Sequence, residues 1–138
     1  MSDEASIDAL RTLVIEWAWC VDHEPPERSA ALFTEDGVFE MPEGRWEGRP
    51  RILEVARARE SKQRTSRHVV TNVRISADGD EAKGQGTVTV YRHDGPGTGD
   101  TLPSSVFDFA DRYRRVDGTW AIEERVMSRI FARPPKAP

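Results

Sequence analysis

A chain of 138 residues with a net charge of -4 has the length of one domain with a real core and no basic excess to draw it to nucleic acid or an anionic membrane. Its 37% hydrophobic and 32% charged residues are the mixture of a folded protein, not of a disordered segment. The single cysteine, Cys20, excludes an intrachain disulfide framework and a cysteine-based zinc site.

The closest approach to a basic cluster is Arg57, Arg59, Lys62, Arg64 and Arg67. Glu54 and Glu60 interrupt it, so it reads as a solvated helix face and turn. The start, Met1 to Ser6, lacks the basic head and apolar run of a signal peptide. No window has the apolar length needed to span a bilayer, and a cytoplasmic protein is expected.

Ser2 or Asp3 can cap a first helix, with acids in its first turn as the helix dipole favours. Ile7, Leu10, Val14, Trp17 and Val21 recur at three and four residues, and Leu13 widens the stripe, which predicts a helix of about five turns. Asp22 closes this apolar run from the flank of the stripe, just before Pro25-Pro26. It caps that turn, or it faces a pocket and does chemistry. The prolines break the helix and can start a second, over about 27–33. Thr34-Glu35-Asp36-Gly37 reads as a turn, followed by a small hairpin of Val38–Met41 and Arg45–Glu47. A third, amphipathic helix follows from Pro50 to about Glu60, with Ile52, Val55 and Ala56 on its apolar side.

From Arg64 the period becomes two. His68, Val70, Asn72 and Arg74 share one predicted face, and Val69, Thr71, Val73 and Ile75 the other. Asp78-Gly79 and Asp117-Gly118 mark hairpins. Strands are predicted over 82–91, 104–116 and 119–131, with a Gly- and Pro-rich loop at 93–103. In the last strand, alternation places Arg125 with Met127 and Arg129, opposite Trp120, Ile122 and Val126. If the second set faces inward, Arg125 is an outer salt-bridge partner. One domain is expected over 1–133, with a loose tail at 134–138. Helices gathered on one side of an antiparallel sheet make an α+β fold, and a curved sheet with helices across its concave face can enclose a small-molecule pocket.

There is no P-loop, dinucleotide fingerprint or nucleophile elbow. His23, His68 and His93 fall in different elements and lack the spacing of a zinc pair, so no metal site and no cofactor are expected. Acid–base chemistry remains. His68 is either a satisfied histidine of the sheet or the partner of Asp22. As a pair, the carboxylate fixes one imidazole tautomer and raises its pKa, poising a general base near neutral pH. Asn72 is placed to orient a substrate oxygen.

Several segments, taken in order, carry a resemblance: Trp17-Ala18-Trp19-Cys20-Val21-Asp22, Leu32 to Phe39, Trp46-Glu47-Gly48-Arg49 with Ile52, Arg67 to Asn72, and Asp117 to Ile122. Over about residues 5–131 the chain resembles the SnoaL-like branch of the nuclear transport factor 2-like superfamily, which includes polyketide cyclases, scytalone dehydratase and bile-acid dehydratases. The resemblance implies a cone-like curved antiparallel sheet with three N-terminal helices enclosing a pocket. It also implies an acid–base pair of Asp22 and His68. His68 would abstract a proton next to a carbonyl, and loss of water or a double-bond shift would follow. Where many such relatives carry a tyrosine, this chain has Trp17, whose indole can donate a hydrogen bond but cannot act as an acid. Some relatives place a functional basic residue near Arg125.

The expectation is a lyase or isomerase acting on a hydrophobic, oxygenated small molecule. Trp17, Trp19, Phe39, Trp46, Asn72 and Phe107 are the candidate substrate-binding residues around Asp22 and His68. The alternative is a non-catalytic binding or dimerisation module of the same fold. An epoxide hydrolase would need an Asp-Arg-Asp set that cannot be placed. The outer face of the long strands is expected to be covered in a homo-oligomer, a dimer or a trimer.

Overall fold

The expected first helix is α1, Asp3–His23, in a computed structural model that describes residues 3–60 and 63–134. Leu10, Leu13, Val14, Trp17, Ala18 and Cys20 form its buried stripe, which packs across the long strand β3 (Arg64–Asp78). Asp3 and Glu4 stand in its first turn and His23 in its last, each on the side the helix dipole favours. The proposed Ser2 cap and residues 135–138 of the expected tail lie outside the described residues.

Pro26 opens α2 (Pro26–Ala30) at a position where its missing N–H costs nothing. This helix is shorter than the sequence suggests because the sheet takes over early: the Ile122 N–H donates to the Leu32 carbonyl at 2.8 Å. Strand β1 then runs from Phe33 to Met41. The stretch read as a turn, 34–37, stays within β1 as an irregularity between Phe33 and Val38 along its neighbour. Strand β2 (Gly44–Glu47) returns from it, and α3 (Arg49–Glu60) crosses back toward α2.

The remaining strands are β4 (Glu81–Asp94), β5 (Ser105–Val116) and β6 (Thr119–Ala132). The six-stranded sheet has the order β2-β1-β6-β5-β4-β3. Four of its pairings are antiparallel, and β1 joins β6 in parallel, so the sheet is mixed. The architecture is α+β, with helices leading a curved open sheet.

Two bulges decide which side chains face the helices. On β3, Thr71 pairs with Thr87 and Arg74 with Gln85, so Asn72 and Val73 together oppose Gly86. Asn72 takes a left-handed φ of 55° there. Ser66, His68 and Val70 point inward before the bulge, and Val73, Ile75 and Ala77 after it. The same-face placement of His68 and Asn72 therefore fails: Asn72 is exposed. On β6, Arg112 pairs with Glu124 but Tyr113 with Ile122, which leaves Glu123 as the extra residue. Trp120 and Ile122 face inward before it, and Arg125 and Met127 after it. Arg125 is thus inside, not an outer partner. Uninterrupted alternation is what the sequence reading assumed, and one extra residue reverses it.

Candidate active site

The last turn of α1 delivers Asp22 to the inward face of β3, where three donors converge on its carboxylate. The Ser66 hydroxyl donates to Oδ1 at 2.8 Å, and the His68 backbone N–H to Oδ2 at 2.7 Å. The His68 ring meets Oδ1 through Nδ1 at 2.6 Å. The two side chains are 5% and 3% exposed. Asp22 therefore closes the gap between helix and sheet rather than capping the Pro25-Pro26 turn.

Burial alone would raise the pKa of Asp22, but hydrogen bonds from the His68 ring, its backbone N–H and Ser66 outweigh it and hold the carboxyl below its ordinary value. A carboxylate that is ionised this firmly places the imidazole proton on Nδ1 and leaves the Nε2 lone pair as a base. The sequence reading expected the carboxylate to raise the His68 pKa. Burial instead lowers it, Asp22 offsets this only in part, and Arg59 and Arg125 add to the lowering. His68 is consequently neutral and ready to accept a proton at neutral pH.

A cavity of about 400 Å³ opens between the end of α1, α2, α3, β1 and the first residues of β3. Asp22, Ser66, Trp17, Phe33, Phe39 and Ile52 line it, with Cys20 beside them. His68 does not. Trp17 lines the cavity and also meets the imidazole edge-on, with ring centroids 5.7 Å apart. The Cys20 thiol is pushed up to about 11, first by burial and then by Glu16, so it stays protonated at neutral pH.

The other candidates divide clearly. Phe39 is buried on the cavity wall, 6.3 Å from Trp17. Trp46 lies behind it, 5.9 Å from the Phe39 ring and off the wall. Phe107 is a core residue under the Arg129 guanidinium and is also off the wall. Trp19 is 54% exposed and stacks on His23, on the outer side of α1. Asn72 lies in a shallow groove on the opposite face of the sheet.

Deeper in the cone is a cluster that the sequence reading missed. Arg125 donates through Nε and Nη2 to both oxygens of Asp111, at 2.8 and 2.6 Å, and the Tyr113 hydroxyl donates to Asp111 at 2.6 Å. Arg125 is wholly buried, with Trp17 and Phe109 against its guanidinium at 4.4 and 4.8 Å. Its Nη1 is buried with no hydrogen-bond partner among the described residues. Only the Glu123 bulge brings Arg125 here, and nothing in the sequence pattern marks that bulge. Ser66 and Arg59, by contrast, were findable. Ser66 is two residues from His68 on one strand face, and Arg59 continues the Ile52, Val55, Ala56 stripe of α3.

A SnoaL-like domain model matches residues 3–126, which is most of the chain. The chain belongs to the SnoaL-like family. Its SnoaL-like fold recurs in a Mycobacterium tuberculosis protein of unknown function, Rv3472, at 26% identity and a TM-score of 0.79, over 91% of this chain and 72% of that one. It recurs at 20% identity in a Novosphingobium aromaticivorans protein assigned as a scytalone dehydratase, with a TM-score of 0.81 over 97% and 90% of the two chains. LinA is similar at 23% identity, with a TM-score of 0.79 over 97% and 95%. No curated protein matches the chain by sequence. Among the described residues no helix is long and apolar enough to cross a membrane.

Proposed function

We propose that this protein is a lyase or isomerase of the dehydratase type, acting on a hydrophobic oxygenated small molecule with His68 as general base. The 2.6 Å contact between His68 Nδ1 and Asp22 carries this reading. His68 Nε2 takes a proton from the carbon next to a substrate carbonyl. Asp22 remains a carboxylate and stabilises the imidazolium that forms. The imidazolium then returns the proton. Given to a departing β-hydroxyl, it completes the loss of water and leaves a carbon–carbon double bond. Given to carbon further along the conjugated system, it shifts a double bond. Arg125, sealed behind Trp17, supplies fixed positive charge to the interior that favours a developing enolate. The relative assigned as a scytalone dehydratase supports the same reaction class.

Trp17, packed against the His68 ring, stands on the cavity wall, and His68 does not. That separation favours the second reading, a pocket that binds without turning over. Turnover of a panel of β-hydroxy ketones and unconjugated enones decides between them. His68→Ala and Asp22→Asn are each expected to reduce it at least tenfold, about 1.4 kcal/mol of barrier, while the protein stays folded. Unchanged turnover in both variants removes His68 and Asp22 as the acid–base pair, and no turnover of any member by the wild type leaves the binding reading.

A further inference from the structure

Arg59 has a place in the cavity that the acid–base reading does not use. The sequence puts it within an interrupted run of basic residues that reads as a solvated surface. In the structure α3 turns it inward, half-buried, onto the same wall as Ile52, Val55 and Ala56. Its basic neighbours are engaged: Arg57 pairs with Glu27 at 3.0 Å, and Arg64 with Asp94 at 3.1 Å. No carboxylate lies within ion-pair distance of Arg59 among the described residues. Burial disfavours its charge, and Arg64 and Arg92 repel it, with only Asp22 offsetting them. Asp22 has little to give, since three donors already share its oxygens.

A guanidinium partly withdrawn from water without a partner is destabilised, and an anion of the right shape offsets that cost. A carboxylate matches its planar fork with two parallel hydrogen bonds. The rest of the cavity asks for an apolar body, because Trp17, Phe33, Phe39 and Ile52 form its floor. Glu24 and Glu60 also stand on its wall, which disfavours a second negative charge on the ligand.

We propose that Arg59 is a specificity-determining residue whose guanidinium takes the carboxylate of a hydrophobic monoacid bound in the cavity between α1, α2 and α3. The substrate of the proposed reaction is then an oxygenated acid rather than a neutral ketone. This identity rests on reading the cavity as the substrate site, but its test reads binding and not turnover.

Calorimetric titration of the whole protein with 2-naphthoate, the neutral 2-naphthalenemethanol and the dianionic 2-naphthyl phosphate makes that test. The wild type is expected to bind naphthoate at least tenfold more tightly than the alcohol, and more tightly than the phosphate ester. Arg59→Gln is expected to erase the preference for the acid over the alcohol, Arg59→Lys to keep part of it, and His68→Ala to keep all of it. Equal affinity for acid and alcohol in the wild type, binding of neither, or a preference that survives Arg59→Gln overturns the assignment. Tighter binding of the phosphate ester overturns the single-charge part of it. Loss of turnover in the dyad variants with this preference intact, or the reverse, separates the two proposals.

Discussion

Asp22–His68 and Asp111–Arg125 both meet Trp17, the first through an imidazole edge 5.7 Å from the indole and the second through a guanidinium 4.4 Å from it. Their surroundings differ. The Asp111–Arg125 pair is 0% exposed on both sides, Asp111 Oδ2 also accepts from the Tyr113 hydroxyl, and aromatic rings cover the cation. Asp111 keeps Arg125 charged against the cost of burial, and burial together with Asp111 raises the Tyr113 pKa, so this cluster holds its protons through the working range of pH. The Asp22–His68 pair has one member on the cavity wall, and its imidazole is held neutral by burial. A sealed ion pair supplies fixed charge and shape. A pair with one side on a cavity, containing an imidazole that burial holds neutral, supplies a proton acceptor.

The largest expected effect tests the sealed cluster. Asp111→Ala leaves a buried, unpaired guanidinium and is expected to cost about 3–5 kcal/mol in urea unfolding. A loss below about 1 kcal/mol would show that water already reaches Arg125. Gly86→Ala comes next. A Cβ there would stand 2.7 Å from the Phe109 ring, one of the two covers of Arg125, and 3.1 Å from the Thr71 carbonyl in the bulge. The expected loss is about 1–3 kcal/mol, measured in the same way, and an unchanged midpoint would mean that Phe109 has room to yield.

The open cluster is expected to respond to pH instead. The folded chain protonates His68 at lower pH than the unfolded chain, whose histidine titrates near about 6.5. The unfolded state therefore binds more protons in that window, and stability is full above it and falls as pH drops through it. Asp22 acts in the same direction at lower pH. Its contribution is present above about 3.9 and is lost as pH falls through its depressed folded value. Urea midpoints at pH 7.5 and 5.5 should fall further for the wild type than for His68→Gln, and parallel losses would count against a neutral buried imidazole. The smallest effect is expected at Trp19→Ala. This exposed ring touches neither cluster, so stability should change by no more than about 0.5 kcal/mol and naphthoate affinity not at all.

Much of the frame could be read from the chain. Leu10, Val14 and Trp17 announce α1, and the Asp78-Gly79 and Asp117-Gly118 turns place the hairpins, because local periodicity and turn chemistry act within a few residues. The approach of Asp22 to His68 followed from the family resemblance and from an acid ending an apolar helix. What escaped was strand phase. Counting in twos fails at both Asn72 and Arg125, because Asn72 is itself a bulge residue and Arg125 lies beyond a bulge. Such an insertion is a long-range compromise with the neighbouring strand, here with Gly86 and with Arg112–Tyr113, and it leaves no mark in its own segment. Arg59 escaped for a different reason: charge weighed more in the reading than its position on the α3 stripe.

Cys20 stands on the cavity wall as the chain's single thiol, packed away and held in its unreactive protonated form. Any motion that displaces Trp17, one turn back along α1, also disturbs the surroundings of this sulfur. Its rate of alkylation then becomes a gauge of how often the wall parts, and a ligand that fills the space should slow that clock.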